Sequence, residues 1–209
     1  MDEGRAAAAI IDAGRRLGAR GLISAAEGNL SVRLGPDYLL VTPSGRRKDE
    51  LRPDDLVAVH IGHDETGARS ATGRSPSSDL AIHLAVYAAR SDVGAVAHAH
   101  LPASMALTLA GEVPDPARLP ETALLLPRLP FVPFEEMGSL KLAGRIVAVL
   151  TEGPEPLAEA VLLERHGAVA VGRDLVAAVD RLELIEVLCR TWRDALLLQA
   201  ARAAVGPPG

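Results

Sequence analysis

Aromatic side chains are scarce in this chain: two Phe, two Tyr and one Trp stand among 209 residues. The core must therefore be built from Ala, Leu and Val. Lysine is almost absent, with Lys48 and Lys141 the only copies, so arginine carries most of the positive charge. The formal net charge is −5, which argues against a generic nucleic-acid binder. The one basic cluster, Arg46-Arg47-Lys48, is followed at once by Asp49 and Glu50. A single cysteine, Cys189, rules out an intramolecular disulfide and fits a reducing compartment. No stretch approaches the roughly 18 uninterrupted apolar residues of a membrane span, and the N-terminus has no signal-peptide pattern. Neither GxGxxG nor a P-loop is present. The expectation is a soluble, cytoplasmic protein with no nucleic-acid or membrane partner. It should form one domain over residues 1–209, with 205–209 a frayed tail.

What is there is a succession of short, well-punctuated elements. Residues Glu3 to Ala19 follow a helical pattern that Asp2 could cap and Gly18 or Gly21 could end. Residues 30–42 read as a hairpin turned by Gly35-Pro-Asp37, and Leu56–Ile61 as a further strand before a polar loop at 62–74. A helix is expected over Leu80–Arg90, with a serine at its N-cap and Asp79 in its first turn. A short helix over Ala103–Ala110 precedes an irregular, Pro-rich segment at 112–130. Then come an edge strand near Phe131–Phe134, a helix over Ser139–Leu150, two strands around a turn in Ala160–Val171 and a long helix from Asp174 to about Ala204. Strands among helices, several of them antiparallel, predict an α/β layer structure without the rhythm of a doubly wound sheet.

The stretch Val93-Gly-Ala-Val-Ala-His98-Ala-His100 reads as a buried strand ending in two histidines. Side chains alternate along a strand, so His98 and His100 project from one face while Ala97 and Ala99 point from the other. Such a pair is half of a transition-metal site, or equally a satisfied core pair. His166, in Glu164-Arg165-His166-Gly167, sits at a tight turn between two apolar runs and could complete a three-nitrogen site. His60 and His63 read as surface residues, and His83 as a packing or polar-contact residue of its helix. Ser77 and Ser78 precede a helix N-terminus, where free N–H groups favour a phosphate. Asn29 after Gly28, and Ser44-Gly45 in a turn, could add donors, so that small groups rather than lysines would hold the anion. Asp79 is the neighbouring carboxylate and a candidate base; compensation of the helix dipole is its other natural role.

Taken in order, Gly28-Asn29-Leu-Ser-Val-Arg33, Thr42-Pro-Ser-Gly45, Pro76-Ser-Ser-Asp79, His83-Leu-Ala-Val-Tyr87, His98-Ala-His100 and Glu164-Arg-His-Gly167 resemble the class II aldolase/adducin family. Its branches include L-fuculose-1-phosphate aldolases and L-ribulose-5-phosphate 4-epimerases, and the resemblance runs from about residue 5 to 200. The resemblance implies a three-layer fold, a central, mainly antiparallel sheet covered by helices. It implies a Zn²⁺ site, or one for another divalent transition metal, at His98, His100 and His166. Gly28, Asn29, Ser44, Gly45, Ser77 and Ser78 would hold the substrate phosphate, and Asp79 would move the proton. It also implies a homotetramer with active sites at subunit interfaces.

Three departures stand out. Asp79 replaces the glutamate of the aldolases and matches the Ser-Ser-Asp of the epimerases. Thr42 matches the aldolases instead, where the epimerases have lysine. Trp192 falls where the aldolases place a C-terminal tyrosine, and residues 101–140 contain no tyrosine. The expected activity is a zinc-dependent lyase that cleaves a small phosphorylated ketose to dihydroxyacetone phosphate and an aldehyde through a metal-stabilised enediolate. Sugar-phosphate epimerisation and keto-acid phosphate decarboxylation are the enzymatic alternatives, and an adducin-like interaction domain the non-enzymatic one.

Overall fold

The computed structural model describes residues 2–61 and 69–205. His63, part of the predicted polar loop and the tail at 206–209 lie outside the described residues. Helix α1 (Glu3–Ala19) starts as the sequence predicts, with the Asp2 carboxylate accepting the Arg5 N–H at 2.9 Å. It ends at Gly21, whose φ of +66° lets the Leu22 N–H reach the Leu17 carbonyl at 3.0 Å. Strands β1 (Asn29–Arg33) and β2 (Tyr38–Val41) make the expected hairpin, extended by β3 (Val57–His60) and β4 (Arg69–Ser70). Helix α2 (Leu80–Ala89), strand β5 (Ala95–Ala99) and helix α3 (Pro102–Leu109) follow.

The segment predicted to be irregular instead holds a 3₁₀ turn at Pro116–Arg118 and helix α4 (Pro120–Leu125). Proline at the first helical position favours that start, while Leu124 and Leu125 face outward, so no buried stripe marked the helix in sequence. Strand β6 (Phe131–Val132), helix α5 (Leu140–Thr151), strands β7 (Ala160–Leu163) and β8 (Gly167–Gly172) and helix α6 (Leu175–Val205) complete the chain. No described helix is long and apolar enough to cross a membrane.

The eight strands form one sheet in the order β4-β3-β2-β1-β5-β8-β7-β6. Every pairing is antiparallel except β6 with β7. Helices α1, α3 and α6 cover one face and α2 and α5 the other, giving three layers and two separate apolar clusters. The shortage of aromatic rings has its counterpart in the first cluster. Ala95, Ala97 and Ala99 of β5, Ala168 and Ala170 of β8 and Ala160 of β7 are all completely buried beneath Ala178, Leu182 and Ile185 of α6. Methyl groups on both sides leave little room for larger side chains between helix and sheet. The opposite face of the same strands carries Val96, Val161, Val169 and Val171 against α2 and α5.

Glycine makes a second close approach. Gly14 and Gly18 lie one turn apart on α1, against the 3₁₀ turn Lys48–Glu50. A Cβ on Gly14 would fall 2.1 Å from the Lys48 carbonyl oxygen, and one on Gly18 would fall 2.8 Å from Asp49 Cβ.

Because Ala97 lies in the alanine layer, Ala97→Leu should destabilise the protein by about 1–3 kcal/mol through overpacking. Urea unfolding should show a lower midpoint with little change in slope. An unchanged midpoint would mean that helix and sheet are not in close contact there.

Candidate metal centre and active site

The centre of the sheet positions three imidazoles. Strand β5 pairs with β8 in the register His98↔Val169 and Ala99↔Ala168, so His100 leaves the strand end close to the turn that carries His166. The ring centroids are 5.1 Å apart for His98 and His100, 4.7 Å for His98 and His166, and 5.0 Å for His100 and His166. One nitrogen from each lies within 4.8 Å of the others. The turn closes because Gly167 has a φ of +87° and no side chain: a Cβ there would sit 2.1 Å from the Ala99 carbonyl oxygen. Beyond His100, the chain is caught by Glu186 of α6. Its carboxylate accepts the Ala103 N–H at 3.1 and 3.2 Å and is itself held by Arg190 at 2.8 Å.

The three rings are suited to a cation. His98 Nδ1 lies 3.0 Å from the Ala168 carbonyl oxygen, so Nδ1 carries the proton and Nε2 presents its lone pair. His98 Nε2 and His166 Nε2 are buried with no hydrogen-bond partner among the described residues. Burial, reinforced by the neighbouring imidazoles, holds the His98 pKa well below the usual histidine range. Burial and then His100 lower that of His166. His100 Nδ1 stands 3.1 Å from Glu27 Oε2, while Glu27 Oε1 accepts the N–H and hydroxyl of Ser24, both at 2.7 Å. A carboxylate behind an imidazole fixes its tautomer and strengthens the opposite nitrogen as a ligand. Three imidazoles converging on one point, two with orphaned buried nitrogens, fit a transition metal that keeps a coordination position open. Sequence reasoning missed Glu27, which belongs to a turn with nothing to mark it.

Asp79 departs from its expected place in α2. It is the N-cap residue rather than part of the first turn, no serine side chain caps the helix from that position, and the Asp79 side chain makes no capping bond. Instead Asp79 Oδ2 accepts from Asn29 Nδ2 at 2.9 Å and lies 4.0 Å from His98 Nε2. Asp79 Oδ1 is buried with no partner among the described residues. Behind it runs a line of buried polar groups. Asn29 Oδ1 meets His83 Nε2 at 2.6 Å, His83 Nδ1 meets Ser31 Oγ at 2.6 Å, and Ser31 Oγ meets the Tyr87 hydroxyl at 2.9 Å. The carboxylate at one end sets every direction. Asn29 donates to Asp79, His83 donates to Asn29, Ser31 donates to His83, and Tyr87 donates to Ser31. Burial pushes the His83 pKa down to about 4, which keeps the ring neutral as this line requires.

A cleft of about 170 Å³ opens onto these groups. All six phosphate candidates, Gly28, Asn29, Ser44, Gly45, Ser77 and Ser78, line it, together with Asp79, His100 and His166. Segments 42–45 and 75–78 are laced side by side, with Ser44 N–H on the Ser75 carbonyl and Ser77 N–H on the Thr42 carbonyl, each at 3.1 Å. Four lining residues were not expected: Ala26, Glu27, Lys48 and Met137. Lys48 thus brings a lysine into the lining of a cleft whose anion was expected to be held by small groups rather than lysines. Trp192 lies elsewhere, in a groove of α6 beside the Arg118 guanidinium, whose central carbon is 5.6 Å from the ring centre. Neither tyrosine lines the cleft: Tyr87 is buried in the second apolar cluster, and Tyr38 packs on His60 at the far side of the hairpin.

Residues 8–193 match the family described as Class II Aldolase and Adducin N-terminal domain. The chain is similar to a 5-methylthioribulose-1-phosphate/5-deoxyribulose-1-phosphate aldolase of Rhodospirillum rubrum, with 36% identity covering 95% of this chain and 84% of that protein. A methylthioribulose-1-phosphate dehydratase of Granulibacter bethesdensis is 32% identical, with 88% of each chain covered. The solved L-fuculose-1-phosphate aldolase of Thermus thermophilus superposes with a TM-score of 0.80 at 28% identity, covering 99% of this chain and 100% of that one.

The buried neutral histidines generate an acid sensitivity. Unfolded, His83 titrates near 6.5; folded, near 4. Between those values the unfolded chain binds more protons, so stability falls as the pH drops from 6.5 towards 4. The His83 share is roughly 3 kcal/mol. In metal-free protein, His83→Gln should lose less stability between pH 7 and 4.5 than wild type does, as read from urea midpoints. Parallel losses would show that His83 is not held neutral.

Proposed function

This chain belongs to the class II aldolase and adducin family, and from that premise we propose that it is a zinc-dependent lyase acting on a ketose 1-phosphate. The reaction is reversible cleavage to dihydroxyacetone phosphate and a short aldehyde. The observation that carries this reading is the placing of Asp79, 4.0 Å from His98 Nε2, beside the three histidines and at a cleft lined by small donors. His98, His100 and His166 would hold the cation, with Glu27 and the Ala168 carbonyl orienting two of the rings. A bound Zn²⁺ would supply Lewis acidity that stabilises negative charge on a carbonyl oxygen.

The remaining work falls to the chain itself. In the direction of bond formation, the Asp79 carboxylate takes a proton from the carbon beside the carbonyl. The electron pair left on that carbon attacks the aldehyde carbon, and the aldehyde oxygen takes up a proton. In cleavage the protonated Asp79 returns its proton to the carbon. Asn29, held from behind by His83, keeps one carboxylate oxygen in place and leaves the other free. The hydroxyls of Ser44, Ser77 and Ser78 and the backbone at Gly28 and Gly45 would bind the phosphate.

A second reading is loss of water from the same class of substrate. The dehydratase relative favours it, and so does the absence of any tyrosine from the cleft to serve the aldehyde oxygen. Water loss would begin with removal of the proton from the carbon beside the ketose carbonyl and expel the hydroxyl group of the next carbon, whereas cleavage begins with loss of that hydroxyl's proton and breaks the carbon–carbon bond. The working unit is a homotetramer in the cytoplasm with sites at subunit interfaces. Exposed Leu124, Leu125, Leu197 and Leu198, and the want of a tyrosine in the cleft of a single subunit, support it.

Metal analysis should give one divalent ion per subunit, lost in His166→Ala. Asp79→Asn should retain the metal but lose about 10²–10⁴-fold in rate, whereas Asp79→Glu should keep the activity. Assays pairing dihydroxyacetone phosphate with short aldehydes, run beside a test for water loss, distinguish the two reactions. Unchanged metal content in His166→Ala, or full activity in Asp79→Asn, would overturn the assignment. Light scattering that found a fully active monomer would overturn the tetramer.

A further inference from the structure

Lys48 is a buried cation of the cleft that shares it with Glu27 and Asp79 but pairs with neither at salt-bridge distance. Its residue is only 3% exposed, and it lines the same 170 Å³ cleft as the six phosphate candidates. Its ammonium donates to the Ala26 carbonyl and, at 2.9 Å, to the Arg46 carbonyl. Those carbonyls belong to the two loops that carry Gly28-Asn29 and Ser44-Gly45, so Lys48 ties together the walls of the cleft. The flanking arginines are paired, Arg46 with Asp55 and Arg47 with Asp49 and Glu50, yet Lys48 forms no ion pair among the described residues.

An ammonium taken out of water needs either a counter-ion or a strong reason to be charged. The fold takes trouble to bury this one. Gly14 and Gly18 cut a notch in α1 into which the backbone of Lys48 and the side chain of Asp49 fit, and any side chain on Gly14 would strike the Lys48 carbonyl. A lysine serving only as a tie between loops could be replaced by a neutral donor without the cost of burying a charge. Besides the carboxylates of Glu27 and Asp79, Lys48 shares the cleft with Asn29, three serines and two glycines, anion-binding donors that are themselves uncharged.

We infer that Lys48 is the charge partner of the substrate's phosphate, the one full positive charge that the chain brings to that group. This rests on the phosphate-ester reading of the cleft. Lys48 then has two roles on one atom: two N–H bonds hold the loops, and the third remains for a phosphate oxygen. Burial pushes its pKa down to about 8, partly offset by Asp79 and Glu27, as befits an ammonium whose close counter-ion arrives only with ligand. Substrates that lack the phosphate would leave it uncompensated, which makes Lys48 a determinant of specificity as well as of affinity.

The test uses metal-loaded protein and inorganic phosphate as the probe, titrated by calorimetry. Lys48→Gln keeps a donor for one loop and removes the charge. It should bind phosphate about tenfold or more weakly than wild type. Equal affinities would overturn the role of Lys48 while leaving the cleft itself intact. A wild type that binds no phosphate would overturn the anion reading of the whole cleft, Lys48 included. Where Lys48→Gln fails to fold, wild-type protein decides the matter, because the chain has only one other lysine. Lys141 is exposed and paired with Glu135 at 3.0 Å, which makes it an internal control for acetylation read by mass spectrometry. Phosphate should slow acetylation of Lys48 and leave Lys141 unaffected. Equal rates at Lys48 with and without phosphate would overturn the proposal.

Discussion

The register between β5 and β8 is the constraint from which most of this structure follows. Pairing His98 with Val169 and Ala99 with Ala168 puts the alanines of both strands under α6 and turns His98 to the opposite face. The same register leaves His100 and the turn residue His166 at one end of the pair, with their rings 5.0 Å apart. A slip of one residue would push imidazoles under α6 and valines into its alanine layer, so packing of the helix and assembly of the histidines are one condition. Gly167 enforces it locally, since only a residue without a side chain can close the turn against the Ala99 carbonyl.

Polar groups in the second layer are satisfied in sequence until the line reaches the cleft. From Tyr87 through Ser31, His83 and Asn29, each group has a partner at 2.6–2.9 Å. It ends at Asp79, whose Oδ1 has none among the described residues, next to the orphaned nitrogens of His98 and His166. Buried orphans cost stability. Gathering three of them at one place is what a site does when ligands are to supply the missing partners.

Much of this could be read from sequence because its signals are local. The Asp2 cap and apolar spacing marked α1, and the two apolar runs around His166 marked β7 and β8. The six phosphate candidates and the histidines were brought out by short motifs, and the fold gathers them without altering one. What escaped depends on packing between distant segments. Lys48 read only as part of a basic cluster followed by two acidic residues, because nothing near it in sequence says that it is buried. The signal lay thirty-four residues upstream, in two glycines spaced one turn apart on α1. Glu27 escaped for the same reason, and α4 because its leucines face outward. Asp79 was recognised as a carboxylate of interest but given the wrong local geometry: a residue that leaves the helix at its N-cap is free to aim at the sheet, whereas one in the first turn is bound to the helix face.

Charge explains how an acidic protein can favour an anionic substrate. Apart from the imidazoles, the cleft's ionisable side chains are the carboxylates of Glu27 and Asp79 and the ammonium of Lys48, a formal balance of −1. A divalent cation would reverse that sign, and a phosphate dianion would restore it. Two such ligands would bring opposite charges into a small space where water screens them poorly. Each should strengthen the other's binding, and linkage makes the effect reciprocal. Glu27 behind His100 and Lys48 between the loops then act as the fixed charges around which this exchange is poised. The net charge of the whole chain acts at long range and is screened within a Debye length of about 10 Å. At the site, the local arrangement decides what binds.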